Sequence, residues 1–385
     1  MEKNQGKLRK KLLILIKNIK MYVSEIKQIE FELTSRCNVK CPGCPRTIIN
    51  NSLDNSLALN DINFDNLKKW LPSKKILQPK NIKFSGNLGD PMVHPNAYEI
   101  FEYIGNNYNC NLHIHTNGGM RDEEFWKDLG KLSAYGKTLK DYKNFNLVVR
   151  WAIDGLEDTN HIYRVGVDWN ILMRNLETYI SNGGQAEWHF IAFDFNEHQI
   201  EKVKELSKKL GMYFILRKSV RNYSFYINKK KETINPSSHI QHPKTNTVAN
   251  LRELEKKQDK GTVKSIDFLQ ASQTVSCPHL VKSQIFIASN ETLWPCCMLW
   301  DEHVRKSSFN DILPINDKWN NLNFYNMQWI LSSKFYSSLA EMWNVNNSRF
   351  TSRCVRSCSE KGELTTKFYD INSNELKEGE KHEHF

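Results

Sequence analysis

Cys37, Cys41 and Cys44 fall within eight residues, directly after QIEFEL, a run whose β-branched and aromatic side chains suit a strand. This Cys-x3-Cys-x2-Cys spacing constrains the chain more than any other feature, because three thiols on one short loop point to a metal centre. Structural zinc demands a fourth protein ligand, and the nearest downstream histidine is His94. A four-iron cube accepts three thiolates and keeps one iron open, so the spacing favours an iron–sulfur site, with zinc as the alternative. Pro42 and Gly43 turn the backbone between the second and third sulfurs, and Arg36 and Lys40 place positive charge beside an anionic cluster.

The chain has 385 residues, 39% hydrophobic and 25% charged, which allows two or three domains with ordinary cores. Its net charge of +11 raises the question of a nucleic-acid partner, and the distribution of that charge answers it. Residues 1–20 carry seven basic side chains against Glu2 alone, residues 217–264 carry twelve against four acids, and the remainder is slightly acidic. The positive charge belongs to an arm and an insert, and no nucleic-acid partner is expected. The apolar run Leu12–Ile16 is far below the roughly 18 residues that span a bilayer, and no cleavage site follows it. We therefore expect a cytoplasmic protein with no membrane span and with reduced thiols, in which tight cysteine spacings mean metal or catalysis.

Residues 1–27 predict a basic amphipathic helix, with Leu8, Leu12, Leu15, Ile16, Ile19, Val23 and Ile26 at helical spacing. Strand patterns then follow at 28–33, 81–85, 111–116, 146–153, 186–193 and 212–218, separated by helical patterns near 61–71, 97–106, 122–133, 168–182 and 197–210. Such alternation implies parallel pairing, and periodicity alone fits a doubly wound sheet or an open barrel equally. Residues 221–275 lose the rhythm and read as a basic insert or linker with one short helix near 249–258. A small α+β unit follows at 276–365, with a hairpin at 284–288 and 292–295 and a helix at 333–343; the polar tail, 366–385, reads as disordered.

The cysteine loop resembles the signature of the radical S-adenosylmethionine (SAM) enzymes, whose open iron chelates the amino and carboxylate groups of SAM. The resemblance continues at FSGNLGDP, residues 84–91, where the family has Gly-Gly-Glu-Pro and this chain has Leu88 for a glycine and Asp90 for the glutamate. It continues again at Thr116-Asn117-Gly118, at Ala152-Ile153-Asp154-Gly155, and at Arg164 in HIYRVG. By that resemblance Cys37, Cys41 and Cys44 hold a [4Fe–4S] cluster. The SAM contacts would be Gly89, Asp90, Asn117, Asp154 and Arg164, and a one-electron donor such as flavodoxin or ferredoxin would reduce the cluster. The chemistry implied is reductive cleavage of SAM to a 5′-deoxyadenosyl radical, which abstracts hydrogen from a peptide or small-molecule substrate. The resemblance covers residues 28–220 and implies a partial (β/α)6 TIM-like barrel, whose functional side chains gather at the C-terminal ends of the strands. His113, His115 and His189 lie within strands and read as ordinary barrel-facing or surface histidines.

Five of the six remaining cysteines fall in the last third of the chain: Cys277, Cys296, Cys297, Cys354 and Cys358. This resembles the auxiliary-cluster region of the SPASM and twitch subfamilies. It implies one further [4Fe–4S] cluster on Cys277, Cys296, Cys354 and Cys358, with Cys297 as the alternative to Cys296 and zinc as the alternative metal. Cys110 reads as a buried thiol. The competing class is a non-enzymatic protein stapled by zinc or iron–sulfur sites that binds nucleic acid through its basic arm and insert, with steeply salt-dependent affinity.

Overall fold

The computed structural model describes residues 21–42, 44–47, 57–138, 145–218, 275–304, 318–343, 354, 358, 368–370 and 375–377. Most of the expected N-terminal helix, the basic insert up to residue 274 and much of the tail lie outside the described residues. Among the described residues ten strands form in chain order. They are β1 (Gln28–Phe31), β2 (Asn81–Phe84), β3 (Asn111–Thr116), β4 (Asn146–Ala152), β5 (Gln185–Ala192), β6 (Tyr213–Lys218), β7 (Gln284–Ile287), β8 (Leu293–Trp294), β9 (Phe368–Asp370) and β10 (Glu375–Lys377). The first six match the strand patterns of the sequence to within two residues at each end. No helix among the described residues is long and apolar enough to cross a membrane.

The described residues divide into two compact units, each discontinuous in sequence: 1–31, 62–80 and 267–363 in the first, and 32–61, 81–266 and 364–385 in the second. This differs from the linear boundaries that the sequence suggests. The physical reason lies in β1, which pairs in parallel with β7, from Gln28 opposite Gln284 to Phe31 opposite Ile287, and so joins the unit of the late hairpin.

In the first unit β7 and β8 form the expected antiparallel hairpin, Phe286 opposite Trp294 and Ile287 opposite Leu293. Its turn puts Glu291 at φ +66°, a conformation that usually falls to glycine. The compensation is visible: the Glu291 carboxylate accepts hydrogen bonds from the Asn63 N–H at 3.0 Å, from the Asn66 side chain and from the Asn323 side chain. Trp294, Trp319, Phe335 and Tyr336 make an aromatic core, with Trp319 and Phe335 ring centres 4.7 Å apart. The single helix expected at 333–343 is instead two short segments, Lys334–Ser337 and a 3-10 turn Leu339–Trp343, preceded by a separate helix Met327–Leu331. Ser338 stands at the break, where its hydroxyl donates to the Lys334 carbonyl at 2.7 Å and competes for the backbone groups of the turn. The described end of the N-terminal helix, 21–26, is likewise only a 3-10 turn, Val23–Glu25.

In the second unit the strand order is β10-β9-β6-β5-β4-β3-β2, and β2 through β6 are all parallel. The helices Ala97–Asn107, Glu123–Thr138, Trp169–Ser181 and Ile200–Lys209 connect them, each following its strand. This open, mostly parallel sheet is the arrangement that a partial (β/α)6 barrel requires. The tail, expected to lack structure, adds β9 antiparallel to β6, with Ile215 opposite Asp370 and Leu216 opposite Tyr369. A sheet edge offers unpaired backbone groups, and β9 (Phe368–Asp370) pairs with them.

Between sheet and helices, Trp151 on β4 stands 4.6 Å from Trp126 and 6.0 Å from Tyr179, all three fully buried. Gly118, at φ +73°, ends β3 against this cluster; a Cβ there would lie 2.5 Å from Leu172 and 2.6 Å from Trp151. Trp151→Ala is expected to cost about 3–5 kcal/mol. It should appear as a lowered urea midpoint with an unchanged far-ultraviolet dichroism spectrum at zero denaturant.

Candidate active site

The cysteine loop leaves Glu32 and runs along the C-terminal ends of the second unit's strands. Its own bonds give it a tight form: the Cys44 N–H donates to the Cys41 carbonyl at 3.1 Å, and the Thr47 hydroxyl donates to the carbonyls of Cys41 and Cys44, each at 2.8 Å. Arg46 donates to the Cys37 carbonyl at 3.3 Å, and the Lys40 N–H donates to the carbonyl of Val165 at 2.9 Å. Cys41 is buried, while Cys37 and Cys44 are partly exposed.

The turn after β2 closes on this loop. The N–H groups of Leu88 and Gly89 both donate to Oε1 of the fully buried Glu32, and the Asp90 N–H donates to the Arg36 carbonyl at 2.9 Å. A Cβ on Gly89 would lie 1.9 Å from the Thr34 carbonyl oxygen, so only glycine permits this approach. Asp90 turns inward, where its carboxylate accepts from the Met92 N–H at 3.0 Å, the Thr116 hydroxyl at 3.0 Å, the Asn117 N–H at 2.7 Å and the Asn117 amide at 2.6 Å. Burial pushes its carboxyl up, against these donors. The Asn117 amide also reaches Asn38 Oδ1 at 2.8 Å and the Cys37 sulfur at 3.9 Å.

Asp154, fully buried after β4, pairs with Arg164 at 2.7 Å and accepts from the Ile191 N–H. Arg164 in turn donates to the Cys41 sulfur at 3.7 Å and lies over the Tyr163 ring. Burial pushes the Cys41 thiol up to about 11, against the Arg164 guanidinium, and burial together with Asp90 raises Cys37 as well. Loading a metal centre on these sulfurs must therefore release protons.

One cavity of about 890 Å³, mouth included, gathers these groups: Cys37, Cys41 and Cys44, the turn Gly86–Asp90, Asn117 and Arg164. Asn87 Nδ2 in that turn is buried with no acceptor among the described residues, as befits a group that a ligand satisfies. Among the described residues no three His, Cys, Asp or Glu side chains converge to hold a single ion. A cube takes its thiolates at separate corners, so three sulfurs around one opening fit a cluster, and the glycine cradle with Asn87, Asn117 and Arg164 fits a polar ligand beside it. Of the sequence candidates, Gly89, Asp90, Asn117 and Arg164 face the cavity, and Asp154 stands behind Arg164.

No protein-family model matches this sequence, and no curated protein matches it. Solved structures do match its fold. The crystal structure of Streptococcus suis SuiB superposes with a TM-score of 0.51 at 11% identity, covering 82% of this chain and 68% of that one. The fold resembles that of SuiB. SuiB bound to precursor peptide SuiA gives the same score at 10% identity, covering 88% of this chain and 71% of that one. Native anSMEcpe with bound AdoMet gives 0.48 at 15% identity over 88% of this chain and 90% of that one. At these identities the likeness to SuiB is one of fold, and the site must carry the function.

In the first unit, Cys277 caps the helix Pro278–Lys282 and Cys296 directly precedes the helix Cys297–Val304. They lie near enough that Cys277, after burial, helps push Cys296 up to about 12. The backbone N–H groups of Leu299 and Met298 are directed at the Cys296 sulfur, while Cys297 is buried inside its helix. Cys358 is tied to this corner by the Ser276 N–H, which donates to its carbonyl at 2.9 Å. Tyr336 Oη is buried beside Cys296 without a hydrogen-bond partner. Cys110, in the second unit, is the buried thiol expected, pushed up to about 12 by its burial.

The sequence reading passed over the cavity floor. Arg150 on β4 is 7% exposed, and its Nε contacts Glu187 at 2.9 Å while its Nη1 meets His115 Nε2 at 3.2 Å. His189 Nε2 reaches the same Glu187 oxygen at 2.8 Å. A lone arginine inside the apolar run NLVVRWAI was the available signal. Burial, helped by Arg217, holds His189 down to about 4, and burial with Arg150 holds His115 well below its usual value. The unfolded chain takes up these protons below about pH 6.5, and the folded chain does not. Stability is thus expected to fall by on the order of 2–4 kcal/mol from pH 6.5 to 4, read as the urea midpoint. His189→Gln should flatten that slope; an unchanged slope refutes the assignment.

Proposed function

We propose that this chain is a radical SAM enzyme that modifies a peptide. The observation that carries the reading is the meeting of Cys37, Cys41 and Cys44 with the Gly89 turn, Asn117 and Arg164 around one cavity, in a fold similar to that of SuiB. The three cysteines would hold a [4Fe–4S] cluster, and SAM would lie beside it. When bound, such a cluster supplies one electron to the SAM sulfonium, giving a 5′-deoxyadenosyl radical that abstracts hydrogen from substrate.

The chain's own residues have distinct tasks in this reading. Arg164, oriented by Asp154 and stacked on Tyr163, places a fixed positive charge at the Cys41 sulfur and at any carboxylate bound beside it. Asn117 offers its amide at the Cys37 sulfur. Asp90, expected to accept from the SAM ammonium, has its carboxylate occupied by strand-end donors, so we assign it the positioning of Asn117 and of the glycine turn. Gly89, lacking a side chain, lets the turn pack directly on the backbone of the cysteine loop and so brings that turn to the ligand.

A peptide substrate is supported by SuiB, which binds the precursor peptide SuiA in a fold like this one. Cys277, Cys296, Cys354 and Cys358 would hold one auxiliary [4Fe–4S] cluster; the approach of Cys277 to Cys296 and the unpartnered Tyr336 hydroxyl beside it support the choice of Cys296 over Cys297. A flavodoxin or ferredoxin would supply the electron, in a reducing cytoplasmic setting.

The test is iron and sulfide per chain after anaerobic reconstitution, with 5′-deoxyadenosine formation followed under dithionite and SAM. Wild type is expected to hold about eight irons and to form the nucleoside. Replacing Cys37, Cys41 and Cys44 together by alanine should leave about four irons and no nucleoside. Zinc in place of iron, with no cleavage of SAM by the wild type, rejects the reading in favour of a metal-stapled binding protein.

A further inference from the structure

The inner face of the second unit's sheet carries charge where a parallel sheet is ordinarily apolar. Side chains alternate along each strand, so residues paired in register share a face. His115 on β3 pairs with Arg150 on β4, Arg150 with Glu187 on β5, and Ile191 on β5 with Arg217 on β6. His189 follows Glu187 by two residues and points the same way. These groups interlock: Arg150 contacts both Glu187 and His115, His189 shares the Glu187 carboxylate, and the rings of His115 and His189 lie 5.8 Å apart, edge to face.

His115, Arg150, His189 and Arg217 line the same cavity as the three cysteines. Arg150 and Arg217 are 7% and 5% exposed. The network also fixes the proton positions. Arg150 only donates, so His115 Nε2 accepts, and neutral His115 carries its proton on Nδ1. Glu187 only accepts, so His189 donates from Nε2. Glu187 is held well below the usual carboxylate range, since the hydrogen bond from His189 and the charge of Arg150 outweigh its burial. Two guanidiniums and the Glu187 carboxylate thus stand on this face, the charge of Arg217 is also felt by the buried Asp154, and both imidazoles stay neutral at pH 7.

Such a floor has no use in binding an apolar side chain, because guanidiniums turned toward a dry, apolar group lose solvation and gain nothing. It suits an anion, which a guanidinium binds through paired N–H donors. We propose that Arg150 and Arg217, supported by His115 and Glu187, bind a carboxylate carried by the substrate, an aspartyl or glutamyl side chain of a peptide, at the floor of the cavity beneath the cysteine loop. This rests on the peptide reading above and adds to it the residue type that enters. Glu187 and His115 act as positioning residues: they fix the Arg150 guanidinium from one side and leave its orientation set before substrate arrives.

The carboxylate of SAM itself is the other source of the same chemistry, and the experiment separates the two. The probes are the capped pentapeptides acetyl-Gly-Gly-Glu-Gly-Gly-amide and its glutamine counterpart, and SAM, each titrated by equilibrium dialysis into the reconstituted full-length protein. Wild type is expected to bind the glutamyl peptide about tenfold more tightly than the glutaminyl one. Arg217→Gln should bring that ratio to about one while SAM affinity stays within about twofold, and Arg217→Lys, which keeps the charge, should retain part of the preference. Thermal midpoints of the variants show that the fold persists. Three results overturn the proposal: no glutamyl preference in wild type, no measurable binding of the glutamyl peptide at millimolar concentration, or a loss of SAM affinity in Arg217→Gln equal to the loss of peptide affinity. Nucleoside formation is read on the same samples. A glutamyl preference without SAM cleavage keeps the anion site and removes the radical reading, whereas cleavage without the preference does the reverse.

Discussion

The Asp90 carboxylate is the point from which the site is built. Four donors from two places converge on it, the Met92 N–H from its own turn and the Thr116 hydroxyl, Asn117 N–H and Asn117 amide from the end of β3. Its own N–H holds the Arg36 carbonyl at the root of the cysteine loop. One residue therefore sets the spacing between the ends of two strands and the sulfur-bearing segment. A buried carboxylate is costly unless every oxygen is satisfied, and here the cost enforces the geometry: any shift of β3 or of the loop leaves a charge without its donors. Where the related motif has glutamate, the shorter Asp90 side chain holds its carboxylate against the end of β3 at the edge of the cavity.

A second buried charge does the corresponding work on the other side. Asp154 orients Arg164, and Arg164 meets the Cys41 sulfur, so the loop is approached by an amide at Cys37 and by a guanidinium at Cys41. Both approaching groups are fixed by carboxylates that water does not reach. The loop itself contributes only its local turn, through Thr47 and the Cys41 carbonyl. Three thiols on a short loop are a common possession; three thiols held between two preset donors are a site.

The strands and the cysteine loop were readable in the sequence because both are local. Period-two runs such as NLHIHT and the spacing of Cys37, Cys41 and Cys44 need no knowledge of distant residues. What escaped depends on partners far along the chain. Glu291 occupies a glycine conformation because Asn63, Asn66 and Asn323 satisfy its carboxylate. The tail joins β6 because an edge awaits it there, and β1 belongs with β7, more than 250 residues away. The structural side of Asp90 was hidden for the same reason: the motif marks it as a ligand contact, and only the approach of Thr116 and Asn117 shows that its oxygens also hold the end of β3. The histidines at 115 and 189, read as ordinary barrel-facing or surface groups, line the cavity, and their surroundings required Arg150 and Arg217, which strand composition treats as exceptions.

The distribution of buried charge bears on the two classes that the composition left open. A protein that binds a nucleic-acid backbone carries its cations where phosphates arrive, on an exposed face, and its affinity comes from counterions released there. Arg150 and Arg217 are instead 7% and 5% exposed, Arg150 is in contact with Glu187, and both share a cavity with thiols. No duplex enters such a space, and burying two guanidiniums costs far more than leaving them in solvent. The charges that would serve a nucleic-acid surface, in the arm and the insert, are separate in sequence from those that shape the cavity, so the basic character of the whole chain and the chemistry of its site have independent origins.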